Sequence, residues 1–204
     1  MSKNYFTIGI TGGIGSGKSL IASILQKLQY PVFYADAEAK KLIAHNIELK
    51  KAIINLFGSE CYAENGELNR KYLANIVFNN PDKLKQLNAI VHPATEITFQ
   101  QWAVNQYNTT KKTLLFKEAA ILFEAKATHT VDFIVMVYAP LEIRIQRTMQ
   151  RDGVLRENVL KRIEQQWSDE YKKEHSHFVV YNDGTQLIIP QVLEMVNFFK
   201  EKVL

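Results

Sequence analysis

Eight residues near the start of the chain, Gly12-Gly13-Ile14-Gly15-Ser16-Gly17-Lys18-Ser19, fit the glycine-rich pattern of a phosphate-binding loop ending in Gly-Lys-Ser. No other stretch limits the possible folds as strongly. Such a loop needs a strand before it and a helix after it, and both are legible. Tyr5-Phe6-Thr7-Ile8-Gly9-Ile10 is β-rich and apolar, as a buried parallel strand should be. From Ser19 to Leu28, the residues Leu20, Ile21, Ile24, Leu25 and Leu28 recur at helical spacing. Pro31-Val32-Phe33-Tyr34-Ala35 reads as a second strand, so the first 36 residues form a β–loop–α–β unit, the building block of a parallel α/β sheet. By composition the pattern should arise by chance in roughly one chain of this length in a hundred. The flanking strand and helix lower that rate, so phosphate binding outweighs a glycine turn without a ligand.

The chemistry of the loop is local. Its glycines bring backbone N–H groups close to a phosphate. The following helix points its unpaired donors and partial positive charge at the same anion. In this pattern Lys18 reaches the β- and γ-phosphates, and the Ser19 hydroxyl is a ligand for Mg²⁺.

The remainder of the chain reads as one α/β unit with a helical insertion. From Ala37 to about Asn108 it is nearly all helical, punctuated at Phe57-Gly58, Asn65-Gly66, Asn79-Asn80-Pro81 and His92-Pro93. A helix is expected to stop before Pro93 and to start at Asn80-Pro81-Asp82. Strand signals return at Thr113–Phe116, Phe133–Tyr138 and Phe178–Tyr181. Helices are expected from Pro140 through Arg151, from Arg156 to Gln166, and from Gln191 to Val203. The predicted fold is thus a P-loop three-layer α/β/α domain with a five-stranded parallel sheet. Its core is 1–36, 109–139 and 174–204, its insertion about 37–108, and its lid about 140–173.

Composition narrows the function classes. The chain has 204 residues, 47% hydrophobic and 23% charged, enough for a real core without a staple. One cysteine, Cys61, excludes an intrachain disulfide and belongs to no Cys/His cluster for zinc. With no basic neighbour in sequence it reads as an inert thiol. A net charge of +4 suits anionic ligands but is too small for a nucleic-acid coat. The apolar run before the glycine turn is too short for a signal-peptide core. No stretch approaches the ~20 apolar residues of a membrane span. A soluble cytoplasmic protein, free of nucleic acid and membrane, is the expectation, as a monomer or small homo-oligomer.

Asp36 closes the second strand, on the rim where open parallel sheets bind ligands. A carboxylate there can accept a proton from a substrate hydroxyl or help hold Mg²⁺. From the residue alone, an N-cap for the helix Ala37–Ala44 is slightly favoured.

Taken together, Ile10-Thr11 with the glycine loop, and Pro31 to Asp36, resemble the dephospho-coenzyme A kinase family. Further matches follow in order: Val91-His92-Pro93, Ala120-Ile121-Leu122-Phe123-Glu124, Arg147-Thr148-Met149-Gln150-Arg151-Asp152, and Asn182 with Gly184. The resemblance covers nearly the whole chain. It implies transfer of the ATP γ-phosphoryl to the ribose 3′-hydroxyl of dephospho-coenzyme A, with Mg²⁺. It implies Asp36 as general base, with Lys18 and the lid arginine Arg147 as further catalytic groups. It implies an ATP site of Gly13, Gly15, Ser16, Gly17, Lys18, Ser19, Leu20, Arg151 and Asn182, the last near the adenine. Arg70 and His92 join Asp36 as candidates for the substrate side. For Arg70 a plain surface role is equally weighted, and for His92 a structural role is preferred.

Four positions depart from the family pattern. Tyr34 replaces the first Asp of its D-A-D motif, Lys40 an Arg or His, and Leu20 a common Thr. Asp169 falls where an arginine is usual on the helix after the lid, with Lys172 close by in sequence.

Other residues have two readings. Arg147 and Arg151 lie one helical turn apart and can share charge on a phosphoryl group. Alternatively they form a solvated face paired with Glu142 or Asp152. Glu118, after the third strand, is a candidate Mg²⁺ contact or a cap for a helix from Ala119. Glu124 carries the same reading more weakly. Trp102 and Trp167 read as packing residues. Rival functions are a nucleoside or nucleotide monophosphate kinase and a non-catalytic P-loop regulator. A GTPase switch is disfavoured because no Asn-Lys pair occurs for a guanine motif.

Overall fold

The apolar run Phe6–Thr11 forms strand β1, which takes a parallel partner on each side. In a computed structural model describing residues 4–78 and 80–203, five parallel strands lie in the order β2-β3-β1-β4-β5. These are β2 (Val32–Tyr34), β3 (Leu114–Glu118), β4 (Phe133–Tyr138) and β5 (Phe178–Tyr181). The register sets Ile10 beside Glu118 and Val135, and Tyr34 beside Glu118. Because all strands are parallel, their carboxyl ends share one rim. Tyr34 and Glu118 therefore end their strands on that rim, and the glycine loop and Asn182 follow β1 and β5 there.

The chain divides into two compact units, residues 1–34 with 103–204, and residues 35–102. In the first, Ile8, Ile10, Phe116, Val135, Val137 and Val180 on the sheet bury against helices α1 (Lys18–Lys27) and α9 (Ile188–Val203). Ile21 and Leu25 of α1 and Val192, Met195 and Phe199 of α9 complete that core. On the other face, Gly9 leaves room that Leu122 and Val131 fill. Helices α6 (Leu141–Asp152), α7 (Arg156–Ile163) and α8 (Asp169–Glu174) lie between β4 and β5 in the chain.

The second unit holds α2 (Ala35–His45), α3 (Ile47–Phe57), α4 (Arg70–Phe78) and most of α5 (Pro81–Thr110). Its core is Leu49, Ile53, Phe57, Cys61, Leu73, Val77, Leu87 and Val91. Asn46 caps α3 through Leu49 N at 2.9 Å, and Asn80 caps α5 through Asp82 N and Lys83 N at 3.1 Å each. Cys61 is buried, and burial, then Glu60, pushes its thiol up, in keeping with an inert residue.

Four local expectations are corrected. Helix α5 does not stop at His92 but runs through Pro93. The proline removes one backbone donor, Thr95 Oγ1 donates to the Val91 carbonyl at 2.8 Å, and burial of Leu87 and Val91 holds the rod together. Glu118 is the last residue of β3 rather than a cap, since turns and not a helix follow Ala119. Helix α7 ends at Ile163, leaving Glu164–Gln166 as a turn. Helix α9 starts earlier than Gln191 because Pro190 sits in its first turn, where a missing N–H costs nothing.

Candidate active site

The loop Gly12–Gly17 leads from β1 straight into α1. Gly17 ends it in the left-handed region, φ 99° and ψ 22°, which a side chain would resist, and its Cβ would strike Asn182 Nδ2. Gly17 has no side chain with which to cap α1, and no acid stands in the helix's first turn. Its opening amides and partial positive charge are therefore offered outward to an anion. Lys18, almost fully buried, arches over the loop and donates from Nζ to the carbonyls of Gly12 at 3.0 Å and Gly13 at 3.1 Å. The buried Ser16 Oγ has no hydrogen-bond partner among the described residues. Unsatisfied buried hydroxyls are rare, and this one lies in the loop that the sequence pattern assigns to phosphate. The cradle fits a polyphosphate.

Side chains from later in the chain hold the loop from outside. Asn182, in the turn after β5, donates from Nδ2 to the Ser16 carbonyl at 2.8 Å. Arg147 of α6 donates to Asn182 O at 3.0 Å and reaches Asn182 Oδ1 at 3.4 Å. Arg144, one turn earlier on α6, lies so close to Gly13 that any Cβ there would collide with its guanidinium. Arg144 is 5% exposed and pairs through Nη2 with Asp169 at 2.9 Å. Its buried Nε has no partner among the described residues. Gln166, in the turn after α7, accepts from the Ile14 N–H at 2.8 Å and donates to the Ala120 carbonyl at 3.3 Å.

The structure thus gathers Lys18, Ser16, Arg147 and Asn182 around one loop. Arg147 and Arg151 stand one turn apart on α6 with different partners: Arg151 is exposed and pairs with Asp152, which also takes Arg162 at 2.8 Å. Hydrogen bonds from Arg151, and then from Arg162, hold the Asp152 carboxyl down to about 2. Glu142 pairs with Arg156 rather than with Arg147 or Arg151. Glu118 is 8% exposed at the rim, one strand over from Ile10. Ser19 and Leu20 are exposed in the first turn of α1.

Asp36, Arg70 and His92 belong to the second unit. Asp36 is exposed and is not an N-cap, because α2 already begins at Ala35; it is an acid in that helix's first turn. Arg70 is exposed at the start of α4, which Asn69 caps by accepting from Tyr72 N at 3.2 Å. His92 is half-buried within α5. Sequence reasoning missed Arg144 and Gln166. The one-turn spacing from Arg144 to Arg147 was an available signal; a single glutamine carries none.

A model of the dephospho-CoA kinase family matches residues 6–187, about nine-tenths of the chain. The chain belongs to the dephospho-CoA kinase family. It is 40% identical over 196 residues to the dephospho-CoA kinase of Bacteroides fragilis, covering 96% of this chain and 94% of that one. It is 41% identical over 179 residues to that of Salinibacter ruber, covering 88% and 89%. Among solved structures it is similar to TT1252 from Thermus thermophilus, with TM-score 0.80, 34% identity, and coverage of 96% and 97%. It also resembles the dephospho-CoA kinase from Campylobacter jejuni, with TM-score 0.68, 27% identity, and coverage of 99% and 98%.

Two departures from the pattern of the dephospho-CoA kinase family have a local explanation. Tyr34 donates to Gln26 Oε1 at 2.8 Å, and burial, then the neighbouring Glu118, pushes its hydroxyl up. An aspartate there would set a second carboxylate beside Glu118. Asp169 is the partner of Arg144. Lys172 is fully buried with Nζ 2.7 Å from Glu124 Oε1, so it is committed to Glu124 rather than offered to a phosphate. Glu124 Oε1 also accepts from Trp167 N at 3.0 Å.

Proposed function

We propose that this ATP-dependent kinase moves the γ-phosphoryl group of ATP to the 3′-hydroxyl of the ribose of dephospho-coenzyme A, giving coenzyme A and ADP. The observation that carries the reading is the uncapped start of α1 behind a glycine cradle, in a chain of this family. Phosphoryl transfer of this kind asks little covalent chemistry of the protein. Positioning and charge stabilisation supply most of the rate.

In this reading the amides of Gly13, Gly15, Ser16, Gly17, Lys18, Ser19 and Leu20 surround the ATP phosphates. Lys18 Nζ leaves the Gly12 and Gly13 carbonyls for the β- and γ-oxygens. Asp36 accepts the proton of the 3′-hydroxyl as its oxygen bonds to the γ-phosphorus and the bond to the bridging oxygen breaks. Arg147 and Arg151 offset charge on the transferring group, and Arg70 and His92 contact the acceptor. Mg²⁺, when bound, neutralises charge on the β- and γ-phosphates; Ser19 Oγ is its expected protein ligand and Glu118 a candidate at longer range. Residues 140–173 act as the lid that keeps water from the γ-phosphate. We place the enzyme in the cytoplasm; among the described residues no helix is long and apolar enough to cross a membrane.

The test is a coupled ATP-consumption assay offering dephospho-coenzyme A, AMP, CMP and adenosine in parallel, with mass spectrometry to locate the new phosphate. Turnover confined to dephospho-coenzyme A, with the phosphate on the 3′-oxygen, is expected. Preference for AMP or CMP would replace this reading with a nucleotide monophosphate kinase.

A further inference from the structure

The Ile14 N–H belongs to the phosphate loop, yet it points to a side chain 152 residues further on, Gln166 Oε1 at 2.8 Å. The other end of the same carboxamide holds the Ala120 carbonyl at 3.3 Å. Ala120 follows Glu118 by two residues, and Ile10 lies beside Glu118 in the sheet. One planar side chain therefore spans the loops that leave β1 and β3, the two neighbouring strands that frame the phosphate cradle. A carboxamide suits the place: it accepts and donates at once without charge. A carboxylate would add negative charge beside a polyanion, and an ammonium has no acceptor.

The element that carries Gln166 has a second hold. Asp169, three residues on, pairs with Arg144, whose guanidinium lies against Gly13. The connection from α7 to α8 thus grips two consecutive loop residues, Gly13 through Arg144 and Ile14 directly.

We propose that Gln166 is a positioning residue for ATP: it keeps the phosphate loop in its nucleotide-ready shape and registers the α7–α8 connection against that loop. This rests on the kinase reading above and deepens it. Gln166 touches no reacting atom. It fixes the Ile14 amide sideways, so the amides from Gly15 onward and the start of α1 receive the phosphates already in place, without a cost of ordering at binding.

The test compares Gln166→Ala and the near-isosteric Gln166→Met in the full chain. Hydrogen exchange at the Ile14 amide, followed by NMR without nucleotide, should speed up at least tenfold in both. The KM for MgATP should rise about five- to tenfold, the worth of one neutral hydrogen bond. The KM for dephospho-coenzyme A and the thermal midpoint should stay near wild type. Unchanged Ile14 exchange, or a KM for MgATP within twofold of wild type, overturns the proposal. A joint rise in both KM values with a lowered melting midpoint also overturns it, since that is general loosening. The MgADP affinity, measured by calorimetry, reads the same loop with no acceptor present. If the wild type fails to phosphorylate dephospho-coenzyme A, the kinase reading falls while the MgADP affinities still decide the role of Gln166.

Discussion

Asn182 reaches 166 residues back along the chain to hold the Ser16 carbonyl at 2.8 Å, and so joins the last strand of the sheet to the phosphate loop. Its own carbonyl and Oδ1 receive Arg147. Replacing Asn182 by Ala leaves the buried Ser16 carbonyl unpaired and takes from Arg147 its 3.4 Å contact at Oδ1, while the bond to the backbone carbonyl stays. The expected stability loss is about 1–3 kcal/mol by urea titration. The KM for ATP should rise, and Asn182→Asp should raise it further, because a carboxylate cannot donate to Ser16 and repels phosphate. Wild-type stability and KM in both variants would contradict this.

Two substitutions separate phosphate binding from proton removal. Lys18→Ala should cut kcat by about two to three orders of magnitude while circular dichroism stays native. Asp36→Asn should lose about 10²–10⁴ in kcat and keep its affinity for ATP, the mark of a lost general base. Asp36→Asn turnover at wild-type speed would reduce Asp36 to a helix-dipole partner of α2.

The fully buried Lys172 contacts Glu124 at 2.7 Å. Truncating one partner strands the other charge, so Lys172→Ala should cost about 3–5 kcal/mol. Adding Glu124→Gln to that variant should recover part of the loss. A double variant no more stable than Lys172→Ala would show that the pair is not coupled.

Asp152 titrates at about 2 rather than near 3.8 because Arg151 and Arg162 bond its carboxylate. A depressed carboxyl stabilises the fold above its unfolded value and loses that contribution as pH falls through the folded one. Protection from amide exchange around the α6–α7 junction, taken relative to the intrinsic rate at each pH, should therefore fall between about pH 4 and pH 2. The effect should shrink in high salt. Asp152→Asn should flatten this acid response; an identical profile in the variant would disprove the assignment.

The contiguous features were legible in the sequence. The strands Phe133–Tyr138 and Phe178–Tyr181 stand where their short apolar β-rich runs put them. The phosphate loop is readable because all its parts are neighbours in sequence. What escaped is non-local or a matter of context. Pro93 carries a local signal to stop, yet the burial of Leu87 and Val91 outweighs one missing hydrogen bond. Gln166 on Ile14 and Arg144 on Gly13 arise only after the sheet has ordered its loops. The three residues after Ile163 read as helix, but their exit from the helix is what lets Gln166 reach the loop.

The strand order carries a consequence for biogenesis. Strand β1 leaves the ribosome well before either of its neighbours, which lie at 114–118 and 133–138. More than a hundred codons must be read before it acquires a hydrogen-bonded partner on either side, and contacts this distant in sequence form slowly. A truncated nascent chain released before β4 would expose this apolar strand with one edge bare, an invitation to chaperones and to aggregation. The strand that leads into the glycine loop is translated before its partners and completed only with them.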